Sequence, residues 1–194
     1  MTSTTGGPRL RADAERNRQR IIAGAGELIR ERGPDAPMEE LAQRSGVGVG
    51  TLYRRFPDRH RLVREVAVDM FRRAVDAATT AATAQPQGWS ALVCLIRFCG
   101  EPEIGALSGA LRGWLAEHRD DDAELRGLTA TWLGHFESVV HKAQSEGAMR
   151  TDIDGVEVLR LISLVTCRMP ELPAKANREA TARYLDVIID GLRG

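Results

Sequence analysis

The sequence predicts an all-α protein of about nine helices. Three observations carry that expectation. No segment of the 194 residues alternates apolar and polar side chains as a half-buried strand does. Apolar residues return every three or four positions along most of the chain, and Gly, Pro and Asp fall between those stretches as breaks. Hydrophobic residues at 43% and charged residues at 28% are ordinary for a globular protein, so nothing in the composition opposes a packed helical core.

The first helix is expected from about Ala14 to Arg32, with Ile21, Ile22, Ala25, Leu28 and Ile29 as a one-sided stripe and Gly33-Pro34 as the stop. A short helix follows from about Pro37 to Arg44. Pro37 suits a first helical position, and Glu39 and Glu40 lie in the first turn, where the helix dipole favours them. Ser45-Gly46 ends it. A second short helix spans about Val49 to Arg55 and closes at Phe56-Pro57, because a residue before proline is pushed out of the helical region. Asp58 is the expected N-cap of a long helix whose stripe runs through Leu62, Val63, Val66, Ala67, Met70, Phe71, Ala74, Val75 and Ala78. That helix ends before Pro86-Gln87-Gly88. Five more are expected: Trp89–Cys99, Glu103–Glu117, Asp122–Glu146, Asp154–Arg168 and Ala174–Leu192. Their separators are Gly100, the Asp120-Asp121-Asp122 run, Gly147, Asp152 to Gly155, and Pro170 to Pro173. The expected division is a disordered arm over 1–12, a first domain over 13–60 and a second over 61–194.

Net charge is zero, but it is unevenly spread. Residues 1–65 hold thirteen arginines, no lysine and nine carboxylates. A basic end on a neutral chain is the electrostatic pattern of a module that meets phosphate, although a solvated, arginine-rich surface has the same look. Arg9 and Arg11 either track a nucleic-acid backbone as an arm or belong to a solvated tail. No apolar run reaches membrane-spanning length, and residues 1–8 have no apolar core of a secretory signal. Cys94, Cys99 and Cys167 are too few and scattered for a disulfide framework, which points to the reducing cytoplasm. His118, His135 and His141 lack i, i+4 spacing and the cysteines form no CxxC pair, so no metal site and no cofactor are expected. No Ser/His/Asp, Cys/His or phosphate-loop arrangement argues for an enzyme.

Met38–Phe56 reads as two short helices around a glycine-containing turn, the helix-turn-helix unit that reads DNA. Leu41 and small Ala42 face inward, Gly46 accepts the left-handed turn, and Val47 and Leu52 fill the angle between the helices. Gly48, Val49, Gly50, Thr51, Tyr53, Arg54 and Arg55 are left pointing outward, a short, hydroxylated and basic set suited to a helix in the major groove.

The run "LAQRSGVGVGTLYRRFPDRHRLV" within Arg16–Val66 resembles the TetR family of regulators, through Gly46-Val47, Gly50-Thr51-Leu52-Tyr53, Arg55-Phe56 and Arg59. The close resemblance covers about a quarter of the chain. It implies an N-terminal three-helix DNA-binding domain and a helical C-terminal domain for ligand binding and dimerisation. It implies that Thr51 and Tyr53 contact phosphate through their hydroxyls and that Arg59 clamps phosphate. Arg54 and Arg55 sit where family members touch bases or phosphate. The family often has Thr or Ser before the second helix; Asp35-Ala36-Pro37-Met38 lacks that hydroxyl, so the contact is not carried over.

For the second domain, Trp89, Phe98, Trp114, Trp132 and Phe136, with Met149, either line a ligand pocket or simply form core, and Cys94, Arg97, His118 and His135 are the polar candidates. Arg97 pairs with a ligand carboxylate, pairs with an internal acid, or is exposed. Gly105, Gly109 and Gly113 fall on one helix face and read as a weak, adjustable segment. By the resemblance, Val156, Leu159 and Ile162 and then Tyr184, Leu185 and Ile188 pack against their copies in a homodimer. The implied partners are double-stranded DNA with a palindromic operator and an unknown small-molecule effector, acting on a repressor. A helix-turn-helix activator or constitutive repressor without a ligand is the alternative.

Overall fold

The computed structural model describes residues 7–167 and 172–194, with side chains from residue 12 onward. Among the described residues the chain forms nine α-helices and no strand. An isolated antiparallel bridge joins Met149 and Arg193. The helices are α1 (Gly7–Arg32), α2 (Met38–Arg44), α3 (Val49–Arg55), α4 (Arg59–Ala84), α5 (Gly88–Cys99), α6 (Gly105–His118), α7 (Ala123–Ser145), α8 (Gly155–Val165) and α9 (Ala174–Gly191). No described helix is long and apolar enough to cross a membrane.

Most ends fall within two residues of the expected ones. The main difference is α1, which begins at Gly7 rather than Ala14. The expected arm lies outside the described residues up to residue 6, and the side chains of Arg9 and Arg11 lie outside them too. Pro37 is the N-cap of α2 rather than its first residue, and no side chain caps that helix. α8 stops at Val165, three residues short of expectation. Part of the break at Pro170–Pro173 lies outside the described residues.

The chain divides into two compact units, Met1–Val66 and Ala67–Gly194, so the division falls inside α4 rather than at residue 60. In the first unit the α1 stripe Ile21, Ile22, Ala25, Leu28 and Ile29 is buried, as are Leu41 and Ala42 of α2 and Leu52 of α3. Gly33 (φ +89) ends α1, and its N–H donates to the Ile29 carbonyl at 2.7 Å. Gly24 lets α1 approach the helix-turn-helix turn. A β-carbon there would stand 2.7 Å from Ser45 Cα, and the Ser45 hydroxyl donates to the Ile21 carbonyl at 3.2 Å.

The second unit is built on α5 against α7, with α8 and α9 packed on them. Leu92, Leu95 and Ile96 meet Phe136, Val139 and Val140 in one buried cluster that also holds Val158, Ile162, Leu185 and Ile189. Asp122, the last of the acidic separator, caps α7 by accepting from the Glu124 and Leu125 amides at 3.0 Å. Asp154 and Glu157 form a reciprocal capping box on α8, each accepting from the other's backbone N–H at 2.8 and 3.0 Å.

Candidate functional site

The turn between α2 and α3 is made by Gly46, whose φ of +64 is the left-handed conformation that only glycine adopts without strain. The Val47 N–H returns to the Ala42 carbonyl at 3.0 Å and closes the turn. α3 is then held by two buried side chains, Leu52 within it and Phe56 at its C-cap. Because a helix of seven residues is only two turns long, fixing that side exposes the other. Gly48, Val49, Gly50, Tyr53, Arg54 and Arg55 are all exposed, and Thr51 is half-buried. Val49 at 39% and Tyr53 at 43% are large for such open positions. Val49, Gly50, Tyr53 and Arg54 thus lie on the side of α3 away from Leu52, with Gly48, Thr51 and Arg55 flanking it.

The cations of this surface are positioned by acceptors around them. Arg54 donates to the Thr51 hydroxyl at 3.1 Å, and Arg55 reaches the Ala14 carbonyl of α1 at 3.0 Å. Both bonds run to uncharged acceptors, so the guanidinium charge is not cancelled by the bond that holds it. Arg59, at the start of α4, donates to the Asp35 carbonyl at 2.7 Å and lies 3.6 Å from the Asp35 carboxylate. Other arginines of this unit serve the scaffold. Arg44 forks onto Glu31 at 2.9 and 2.7 Å, which together with Glu27 raises the Arg44 pKa above its ordinary value. Arg18 and Arg64 both pair with Glu65. The Asp58 carboxylate accepts from the Arg61 N–H at 2.7 Å, which is the expected cap of α4.

The second unit contains a cavity of about 90 Å³ among α4, α6, α7 and α8. Met70, Phe71 and Ala74 line it from α4, and Trp132 from α7. Leu159, Ile162 and Ser163 come from α8, with Thr166 just beyond it. Cys99, Ile104, Gly105, Ser108 and Gly109 complete the wall. None of these side chains is charged. Burial pushes the Cys99 thiol up to about 12, with the Glu101 charge adding to it, so this sulfur is a neutral group at physiological pH. Gly105 makes the wall thin: a β-carbon there would overlap the Cys99 carbonyl and stand 2.6 Å from Thr166 Cβ.

Of the ten expected pocket residues, Trp132 alone lines this cavity. Phe136 is fully buried in the core, and Phe98 packs against that core. Trp114 stacks on His118 within α6 at 4.6 Å, and His135 is half-buried on α7 outside the lining. Trp89, Cys94 and Arg97 lie along an open groove between α5 and α9. There Arg97 is exposed, as one of its three expectations had it, and pairs with the equally exposed Asp186 at 2.9 Å, and Arg193 lies over the Trp89 ring at 5.0 Å. The missed lining residues include Gly105, which lets the cavity wall approach closely, and Gly109, where a β-carbon would make only ordinary contact with Cys167.

The expected interface residues divide in the same way. Val156 and Tyr184 are exposed, Leu159 and Ile188 are half-buried, and Ile162 and Leu185 belong to the protomer's own core. Leu161, Leu164 and Val187 are the exposed neighbours that the stripe pattern did not single out, Leu164 at 68% and Val187 at 71%.

The family described as bacterial regulatory proteins, tetR family, matches residues 21–66, and the C-terminal domain of SbtR-like transcriptional regulators matches residues 103–194. The TetR transcription regulatory protein of Mycobacterium vanbaalenii is 33% identical, with 95% of this chain and 99% of that chain covered and a TM-score of 0.65. A TetR transcriptional regulator of Streptomyces coelicolor is 27% identical over 91% of this chain and 98% of its own, with a TM-score of 0.66. A transcriptional regulator from Saccharomonospora viridis in complex with choline shares the fold at 17% identity, with 93% and 99% covered and a TM-score of 0.67. Among curated proteins, none matches the chain.

Proposed function

Because this chain belongs to the TetR family of transcription regulators, we propose that it is a repressor that holds a palindromic operator as a homodimer and releases it when a small molecule enters the cavity of the second unit. The observation that carries this reading is the outward face of α3, where Thr51, Tyr53, Arg54 and Arg55 present hydroxyl and cationic donors to a duplex. Arg59 adds a further cation at the start of α4.

The exposed apolar residues of α8 and α9, Val156, Leu161, Leu164, Tyr184 and Val187, support a face that pairs with its own copy. A two-fold dimer then reads two half-sites, hence the palindrome. The uncharged lining of the cavity supports a neutral, largely apolar effector with one or two hydrogen-bonding groups, met by Ser108, Ser163 or Thr166. A cavity of about 90 Å³ is smaller than the ~150 Å³ that accepts benzene. An effector larger than this either extends through the open side of the cavity or spreads α4, α6 and α8. That spreading is the differential contact by which a ligand favours the released state over the bound one.

Selection from a random DNA pool, followed by a salt titration, tests the reading. A palindromic winner whose affinity falls steeply with salt supports a dimer that neutralises phosphates. That winner is then the probe for small molecules that cause release. If no sequence is enriched, even after the protein is unfolded and refolded to strip a carried ligand, α3 is not a DNA reader.

A further inference from the structure

We propose that Cys167 captures an α,β-unsaturated carbonyl compound held in the cavity of the second unit, by conjugate addition of its sulfur to the β-carbon of that compound. This rests on the reading of the cavity as an effector site and names the chemistry of one effector class.

Cys94, Cys99 and Cys167 are all free and stand in different surroundings. Cys94 is exposed in the open groove that also holds Arg97, whose charge is taken by Asp186. Cys99 lines the cavity, but its buried thiol stays protonated and is a poor nucleophile. Cys167 is half-buried at the cavity edge, between two lining residues. Its Sγ donates to the Ser163 carbonyl at 3.1 Å, and a β-carbon on Gly109 would stand 3.5 Å from it. Arg112 of α6 donates to the same sulfur at 3.5 Å and to the Ser163 carbonyl at 3.3 Å. Among the described residues no carboxylate pairs with Arg112.

A second group, independent of the cysteine, points to a guest. Thr166 is 5% exposed and lines the cavity. Buried hydroxyls ordinarily find a partner, and the nearby Ser163 hydroxyl donates to the Arg160 carbonyl at 2.8 Å. The Thr166 hydroxyl makes no hydrogen bond among the described residues. One corner of an otherwise apolar cavity therefore offers an open hydrogen-bonding position beside a sulfur and a cation.

That combination suits one chemistry. Met70, Phe71, Trp132 and Leu159 seat a hydrocarbon body, and the Thr166 hydroxyl is free to donate to a carbonyl oxygen. The sulfur then bonds to the β-carbon of the guest, and its S–H bond breaks. The C=C π pair moves toward the carbonyl and places negative charge on its oxygen. A fixed cation within reach of that oxygen lowers the barrier, which is the role of Arg112. The thiol proton ends on the α-carbon, so nothing is oxidised or reduced and no further reactant is needed. The product is a thioether that holds the guest at the wall between α6 and α8.

The test treats the full chain with N-ethylmaleimide and follows each cysteine by peptide mass spectrometry. Cys167 is expected to be labelled at least about tenfold faster than the more exposed Cys94. A large excess of N-ethylsuccinimide, which has the same shape but no double bond to attack, slows Cys167 and leaves Cys94 unchanged. Arg112→Met, a change at an exposed side chain, melts as wild type does and slows Cys167 by about tenfold. A Cys167 rate no higher than that of Cys94, or untouched by N-ethylsuccinimide, or unchanged in Arg112→Met overturns the proposal. The cavity then still stands as a site for effectors that bind without a bond. Rapid, cavity-dependent labelling of a chain that keeps hold of its selected operator supports the covalent site and overturns the release reading instead.

Discussion

In the first unit the side chains of interest point outward from a helix held by two buried residues, whereas in the second the feature of interest is a partly open cavity walled by α4 to α8 and thinned by glycine. The difference lies in what each arrangement demands of its neighbours. An outward face needs only a helix fixed on its other side, so its residues are free of the core. A cavity between helices is shaped by every helix around it, so its lining residues also pack the fold. Substitutions on α3 should therefore separate binding from stability, and substitutions in the cavity wall should mix them.

Leu52→Ala probes the fixed side of α3. Its side chain is fully buried, so unfolding in denaturant should show a loss of about 2–5 kcal/mol. A loss well below that would mean that α3 is held by something other than Leu52 and Phe56. Next in size, Leu164→Glu combined with Val187→Glu should give a monomer in sedimentation and lower operator affinity by ~100-fold or more, since two linked half-sites become one. A dimer that survives both charges would place the interface elsewhere.

The cavity wall gives a sharper contrast. Gly105→Ala pushes a methyl into the Cys99 carbonyl and Thr166 and should destabilise by about 1–3 kcal/mol. Gly109→Ala meets Cys167 Sγ at an ordinary 3.5 Å and should raise the melting temperature by the equivalent of about 0.5–1 kcal/mol while reducing room for an effector. Equal effects at the two positions would contradict the packing described for α6. On the outward face, Tyr53→Phe should weaken binding to all duplexes alike by roughly fivefold, the loss of one hydrogen bond of about 1 kcal/mol, with melting unchanged. A loss confined to the operator would make Tyr53 a base contact instead.

The smallest effect belongs to an exposed pair that serves neither function. The hydrogen bond from Arg150 holds the Asp152 carboxyl at about 2, below its usual 3.8. A depressed folded pKa contributes stability above the unfolded value, and that contribution fades as pH falls from about 4 toward 2. A carboxyl titration followed by NMR should show the low midpoint, and Arg150→Ala should return it to the ordinary range.

Much of this was legible in the sequence, but unevenly. Proline, glycine and capping aspartates mark helix ends locally, so Gly33, Gly46, Phe56-Pro57, Asp58 and Asp122 placed the elements. The outward set of α3 was legible because a two-turn helix with Leu52 inside leaves the rest outside. The cavity was not, because its lining depends on which faces of α4, α6, α7 and α8 converge, and periodicity within one helix is silent on that. On α8 both faces are apolar. The stripe through Ile162 and the one through Leu161 and Leu164 look alike in sequence, and packing alone assigns the first to the core and the second to solvent. Gly105 misled for a related reason: a β-carbon there would meet both the Cys99 carbonyl and Thr166, sixty-one residues away.

Positions 48, 49, 50, 53 and 54 all turn away from the core that Leu52 and Phe56 anchor. Variation there leaves the buried anchors of the helix untouched. On the proposed reading of α3, a duplicated gene can change its operator through these codons while the buried anchors Leu52 and Phe56 stay as they are. A combinatorial library over the same codons would sample DNA preference on a constant scaffold.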